Sequence, residues 1–246
     1  MSTSDHDLSR IRQRAAADEV VEVLTDAIRG GYYEVGQRLP TENDLALKLG
    51  VSRTVLREAL SVLRRAGVVS IRRGATGGTF IESLANLSAV IAAGSQREET
   101  ARPLLETRRA IEPLVTVLTA SRATEDDLLE LERLVDTLET LLDTPEEFFE
   151  FDIRFHLVIG DMCRNPVLAD FQRETMRRLS VLAAASLARE AEPTESLARQ
   201  RQLYEAITSR DAGVVMDALD VHLVPLEEHL LGERLYFVDL GRGQEP

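Results

Sequence analysis

Three sets of side chains have types and spacings that could do chemistry. In FFEFDIRFHLVIG, Asp152 and His156 stand one helical turn apart. On a helix they lie about 40° from each other. They sit at the edge of an apolar face made by Phe148, Phe151, Phe155 and Ile159. Far along the chain, His222 falls inside the stripe of Val215, Leu219 and Leu226. A carboxylate and two imidazoles converging in a core suit a divalent ion, although a histidine in such a stripe also fits a hydrogen-bonded core residue. His229, beyond Pro225, is a fallback ligand. The second set is one cation. Arg108 points inward between Leu104, Leu105, Ile111 and Val115, whereas Arg109 projects sideways. A buried guanidinium needs an anion. Glu106, Glu112 or Asp152 could supply it, or an anionic ligand. The third set is basic. Arg53, Arg57 and Arg64 cluster within about 40° on a helical wheel, beside Ser61. Val55, Leu56, Ala59, Leu60, Val62 and Leu63 fill the apolar arc. Arginines so placed can read guanine or grip phosphates. Arg72 and Arg73 precede Gly74, Gly77 and Gly78, and glycines let a backbone approach a phosphate or enter a minor groove.

The elements that must hold these residues follow from local signals. A helix over 16–29 stops at Gly30-Gly31. A second runs from Thr41 to Leu49 and is broken by Gly50. Ser52 caps a third over 53–66. Val68–Ile71 and Thr79–Ile81 are β-rich, with a glycine-rich tip between them. After Glu82 the period is helical throughout, with helices near 84–93, 101–121, 124–142, 146–162, 166–190, 195–209 and 211–231. Pro103 and Pro145 fall at helix starts, and Pro225 is expected to kink the last helix. The expected class is mainly α, with a winged helix-turn-helix followed by an antiparallel helical bundle. The expected division is a flexible tail at 1–15, a DNA-binding domain at 16–82, a helical effector-binding and dimerisation domain at 83–231, and a tail at 232–246 in which Leu235–Val238 could pack.

Charge agrees with that division. The net charge is −13. Residues 1–82 carry 12 basic and 11 acidic side chains, against 17 and 31 in 83–246. A basic patch on an acidic body is the footprint of a DNA-binding module. The single Cys163 excludes an intrachain disulfide and a Cys-based metal cluster. The first residues, MSTSDHDLSR, lack the apolar core of a secretory leader, and no apolar run is long enough for a membrane span. The expectation is therefore a cytoplasmic protein without a membrane partner. No nucleophile elbow, phosphate loop or HExxH motif is present, so no enzyme is expected.

Two stretches resemble known proteins. LPTENDLALKLGVSRTVLREALSVLRRAGVVSIRRGATGGTFI resembles the winged helix-turn-helix of the GntR family of bacterial transcription regulators. The likeness covers about Val20–Ile81, with LP-T-E, LGVSR-T-VLREAL and GGTF in order. It implies base or phosphate contacts from Arg53 and Arg57, support from Ser52 and Thr54, and minor-groove insertion by a wing bearing Arg72, Arg73, Gly77 and Gly78. Many relatives have arginine where this chain has Asn43, which reads adenine rather than guanine. LLETRRAIEPLVTVLTA, FDIRFHLVIG and LYEAITSRDAGVVMDALDVHL resemble the helical ligand-binding domain of the FadR-like branch. In that branch an Asp-x-x-x-His pair and two more histidines commonly hold a divalent metal such as zinc, nickel or manganese. Asp152, His156 and His222 match three positions. Gln200 occupies the fourth, on the face of Leu197, Leu203, Tyr204 and Ile207. An amide oxygen serves zinc poorly, so the site takes a harder ion or dispenses with metal. The resemblance further implies a homodimer on a pseudo-palindromic double-stranded operator. Its controlling effector is a small organic acid or acyl-type compound held by Arg108, Gln200 and Tyr204, and repression is the expected sense. A metal-free fatty-acyl sensor, a metal-responsive regulator and, last, a metal-dependent hydrolase are the rivals.

Overall fold

The computed structural model describes residues 3–74, 77–94, 101–184 and 193–236. They form two compact units, Met1–Arg97 and Glu98–Pro246.

In the first unit, α1 (Thr3–Arg29), α2 (Glu42–Leu49) and α3 (Arg53–Arg65) precede a hairpin of β1 (Val69–Arg72) and β2 (Gly78–Ile81), and α4 (Leu87–Gly94) follows. The helix expected from residue 16 begins instead at Thr3. The turn between α2 and α3 is set by caps. Gly50 ends α2 with φ 67°, a left-handed conformation that glycine adopts without strain. Ser52 then caps α3 by accepting from the Val55 N–H at 3.2 Å. Val55, Leu56, Ala59, Leu60 and Leu63 face inward and are buried, as the wheel requires. The hairpin is antiparallel, pairing Val69 with Ile81 and Arg72 with Gly78. The expected boundary at 82/83 differs from the observed division because α4 packs back on α1. There the buried Arg29 donates through Nη2 to Ser88 Oγ at 2.9 Å.

The second unit is all helix among its described residues: α5 (Ala101–Arg122), α6 (Glu125–Thr140), α7 (Pro145–Met162), α8 (Pro166–Ala184), α9 (Pro193–Ser209) and α10 (Ala212–Leu231). The end of the helix expected to reach residue 190 lies outside the described residues. Thr124 and Asp127 form a capping box at the start of α6, so the acidic opening of that helix is structural. α10 continues as one helical element through Pro225, and Pro113 likewise lies inside α5. One core cluster is built around Leu131, Leu138, Phe155, Ile159, Leu203 and Leu219. A second groups Leu104, Leu105, Ile153, Leu157, Met176 and Leu179 with Leu235. Phe237 and Val238, also expected to pack, lie outside the described residues.

Arg109 departs from the sequence reading. It is only 3% exposed, because α10 covers that side of α5. Its Nε and Nη2 donate to the two carboxylate oxygens of Glu227 at 2.6 and 2.7 Å, and Nη1 donates to Asp220 at 2.9 Å. Glu227 also accepts the Leu235 N–H at 2.9 Å, which ties the segment after α10 to the bundle. Removing either partner of a buried ion pair strands a charge away from water. Arg109→Ala and Glu227→Ala should each lower unfolding free energy by about 3–5 kcal/mol. The double variant should cost little more than one of them, measured by urea unfolding. Additive losses would refute that coupling.

Candidate functional site

Four helices of the second unit each bring one or two polar side chains to a common point. α5 supplies Arg108 and Glu112, α7 supplies Asp152 and His156, α9 supplies Gln200, and α10 supplies His222. Of these, Glu112, His156 and Gln200 are at most 1% exposed.

Glu112 lies at the base. Its Oε2 accepts from Arg108 Nε at 2.6 Å, and its Oε1 abuts His156 Nδ1. Burial alone would push this carboxyl up. Arg108 and His156 outweigh burial and hold it well below the usual carboxylate range. With Nδ1 turned to Glu112, His156 Nε2 faces the interior of the site. There it meets His222 Nε2 at 3.0 Å and Gln200 Nε2 at 3.4 Å. Arg108 Nη2 lies 3.3 Å from His222 Nε2. Arginine can only donate, so this nitrogen of His222 is an acceptor. Facing His156 Nε2, it can accept a proton shared between the two rings, or both nitrogens can bind one cation. Beyond them, Gln200 Nε2 donates to Asp152 Oδ1.

Glu112, His156 and His222 form a buried trio with ligand-capable atoms within 4.8 Å of one another. Both Glu112 oxygens are already engaged, so it orients His156 in the manner of an outer-shell carboxylate. Donor spacings of 3.0–3.4 Å match those around one tetrahedral ion, roughly 3.3 Å for bonds of about 2.0–2.1 Å. The structure thus brings Glu112, rather than the expected Asp152, together with His156 and His222, and Asp152 is joined to them through Gln200. Gln200 suits such an ion only with the amide turned, because its nitrogen is committed to Asp152 while its buried oxygen has no hydrogen-bond partner. Gln172 braces the arrangement from α8 by donating to the His156 carbonyl.

Beside this cluster lies a cavity of about 260 Å³. Arg108, Asp152, His156 and His222 line it together with Arg199, Ser180 and His229, and Phe148, Phe149, Ile153, Met176, Leu179 and Leu226 supply apolar wall. Gln200 and Tyr204 are not among the lining residues. Gln200 sits behind Asp152 and His156, and Tyr204 packs half-buried against the larger core cluster. Arg199 and Ser180 escaped sequence reasoning, since neither stands out on its own helix.

In the first unit, Asn43, Ser52, Arg53, Thr54, Arg57 and Arg64 are exposed around the helix-turn-helix. Arg57 Nε donates to Glu42 Oε2 at 2.7 Å across the two helices. Arg72 pairs with Glu82 at 3.0 Å, and Arg73 is exposed. The Ser70 hydroxyl and Arg72 hold the Glu82 carboxyl below its ordinary value. Gly77 serves the turn itself, since a Cβ there would meet the Arg72 carbonyl oxygen at 2.4 Å. No described helix is long and apolar enough to cross a membrane.

Comparison with known proteins bears on both units. The family description "Bacterial regulatory proteins, gntR family" matches residues 16–81, and the FCD domain matches 103–224. The chain is 34% identical over 198 residues to the HTH-type transcriptional regulator RmpR of Mycobacterium gastri, covering 78% of this chain and 71% of that protein. It is 35% identical over 167 residues to a protein of Escherichia coli named as an L-lactate dehydrogenase operon regulatory protein, covering 65% and 63%. The solved structure of E. coli McbR/YncC superposes with a TM-score of 0.53 at 21% identity, over 88% of this chain and 97% of that one, and shares the fold.

The site predicts a pH dependence. Burial first, then His156 and Arg108, push His222 well below its ordinary value. The unfolded chain therefore takes up that proton more readily. Stability is complete above the unfolded value near 6.5 and drains as pH falls below it. Chelator-treated protein should lose up to about 2 kcal/mol of unfolding free energy between pH 7 and 5 through this group, and His222→Asn should show a flatter profile. Parallel profiles for the two proteins would refute the assignment.

Proposed function

Since the chain belongs to the GntR family of bacterial regulatory proteins and carries an FCD domain, we propose that this transcription regulator is controlled by a small organic acid bound in its helical unit. It is a regulator and not an enzyme. The observation that carries the reading is Arg108. Its Nε is held by Glu112 and its Nη2 by His222, yet it lines the cavity and keeps donors for a further anion. The polar end of the cavity, with Arg108, His156 and His222, suits a carboxylate, and the apolar wall suits a short carbon chain. A relative named for an L-lactate dehydrogenase operon agrees with that class.

A divalent metal held by Asp152, His156 and His222, with the Gln200 oxygen turned inward, would supply a second positive charge for the carboxylate. The engaged Gln200 nitrogen supports the alternative, a site organised by hydrogen bonds that takes an acyl-type acid without metal. In DNA binding, two copies of the unit, related by two-fold symmetry, would read the halves of a pseudo-palindrome. Arg53 and Arg57 would lie in the major groove, with Asn43, Ser52 and Thr54 beside them. The free protein would repress by holding the operator, and effector binding would relieve repression by favouring an arrangement of the heads that releases it.

Two tests follow. Arg108→Ala combined with Glu112→Gln, so that no buried charge is stranded, should bind an operator duplex like wild type but lose release by organic acids, read by fluorescence anisotropy. An unchanged acid response would remove Arg108 from the site. For the metal, protein prepared without chelator should hold close to one equivalent by mass spectrometry, lost in His156→Ala. Gln200→His should then bind zinc at least about tenfold more tightly. No metal in wild type, even with added zinc, nickel or manganese, would leave the acyl-type reading.

A further inference from the structure

The wing holds a cation that its sequence motif conceals. Arg38 lies in the stretch before α2, and this stretch runs beside β2. The Leu39 N–H donates to the Thr79 carbonyl at 2.8 Å, the Ile81 N–H donates to the Gln37 carbonyl at 3.0 Å, and Arg38 bridges Phe80. The wing is therefore three strands wide at its base. Alternation along the strands separates its faces. Leu39, Val69 and Ile81 are buried on the inner face. Arg38, Gly78, Phe80 and Arg72 share the outer one, where the Arg72 guanidinium lies 4.1 Å from the Phe80 ring centroid.

Gly78 explains how Arg38 is placed. A Cβ at this position would stand 2.5 Å from Arg38 Nε. The missing side chain is the space across which the guanidinium lies, at the last paired rung of the hairpin. Several cations of this unit are already occupied. Arg72 is held by Glu82, Arg57 by Glu42, Arg65 by the Ser61 hydroxyl and Lys48 by the Tyr32 hydroxyl. Arg38 is exposed and, among the described residues, has no ion pair or side-chain hydrogen bond. Its guanidinium rests on backbone, so little freedom is lost on meeting an anion.

We propose that Arg38 grips a phosphate of the DNA backbone beside the groove that the wing enters. This rests on the reading of the unit as operator-binding. Arg38 lies over the paired part of the sheet rather than at the hairpin tip, a position suited to the phosphate rim rather than to base edges. The contact therefore adds affinity without sequence preference, and it weakens with salt.

The test uses the full chain and two duplexes, one selected from a random pool with wild-type protein and one of unrelated sequence. Affinity is measured by anisotropy across a potassium chloride series. Arg38→Ala should weaken binding to both duplexes by a similar factor, about five- to tenfold, and lower the salt slope by about one. Arg38→Lys should restore the slope, and the thermal midpoint of Arg38→Ala should stay close to wild type. A wild-type slope in Arg38→Ala overturns the proposal. So does a loss confined to the selected duplex, which would mean base reading. A lowered midpoint with no rescue by lysine also overturns it, since that is a packing role. If wild type binds neither duplex, the operator-binding reading itself falls and the proposal with it. That failure is distinguishable because it precedes any substitution.

Discussion

The helical unit is organised around one buried anion. Glu112 is 1% exposed, and a lone carboxylate at that depth would be untenable. It is stable there because Arg108 and His156 meet its two oxygens from the same helix and from a neighbouring one. Each partner is oriented in return. Arg108 is held so that its remaining donors face His222 and the cavity, and His156 is fixed so that Nε2 faces Gln200 and His222. Asp152 is then reached through Gln200. One charge balance thus sets the aim of side chains from four helices. Apolar packing in this unit is divided between two clusters, and helices α5 and α7, which carry Arg108, Glu112, Asp152 and His156, contribute to both.

The GntR-type unit is built differently, since its arginines around the helix-turn-helix are exposed and their placement comes from the backbone. A capped turn fixes α3 relative to α2, and the buried side of α3 sets the angle at which Arg53 and Arg64 leave it. Exposed ion pairs such as Arg57 with Glu42 contribute little stability. They keep a long side chain near one place, and a phosphate can displace the carboxylate. The glycines near the wing tip have separate causes. Gly77 satisfies the turn, and Gly78 makes room for a neighbouring side chain.

The helical period of α3, its cap and the glycine stop of α2 are local, so they were legible in the residues alone. The inward aim of Arg108 and His222 was legible for the same reason, since burial along one helix leaves a period. The pairing of Arg109 with Glu227 was not, because it joins residues 118 apart and depends on which side of α5 the last helix covers. Tyr204 shares a helical face with Gln200, but a wheel gives direction without depth, and this ring stops against the core. Glu112 was visible as one of three candidate partners for Arg108. Its hold on His156 required the third dimension.

The place of Gln200 has an evolutionary consequence. Glutamine and histidine codons differ only in their third base. A site in which an amide bridges Asp152 and His156 and one in which an imidazole completes a metal set are therefore separated by a single nucleotide change. The surrounding scaffold serves both, since Glu112 and Gln172 position His156 whichever side chain stands opposite. Under the proposed metal reading, a lineage carrying this bundle would cross between the two chemistries without refolding any helix, and the local supply of metal would select the codon.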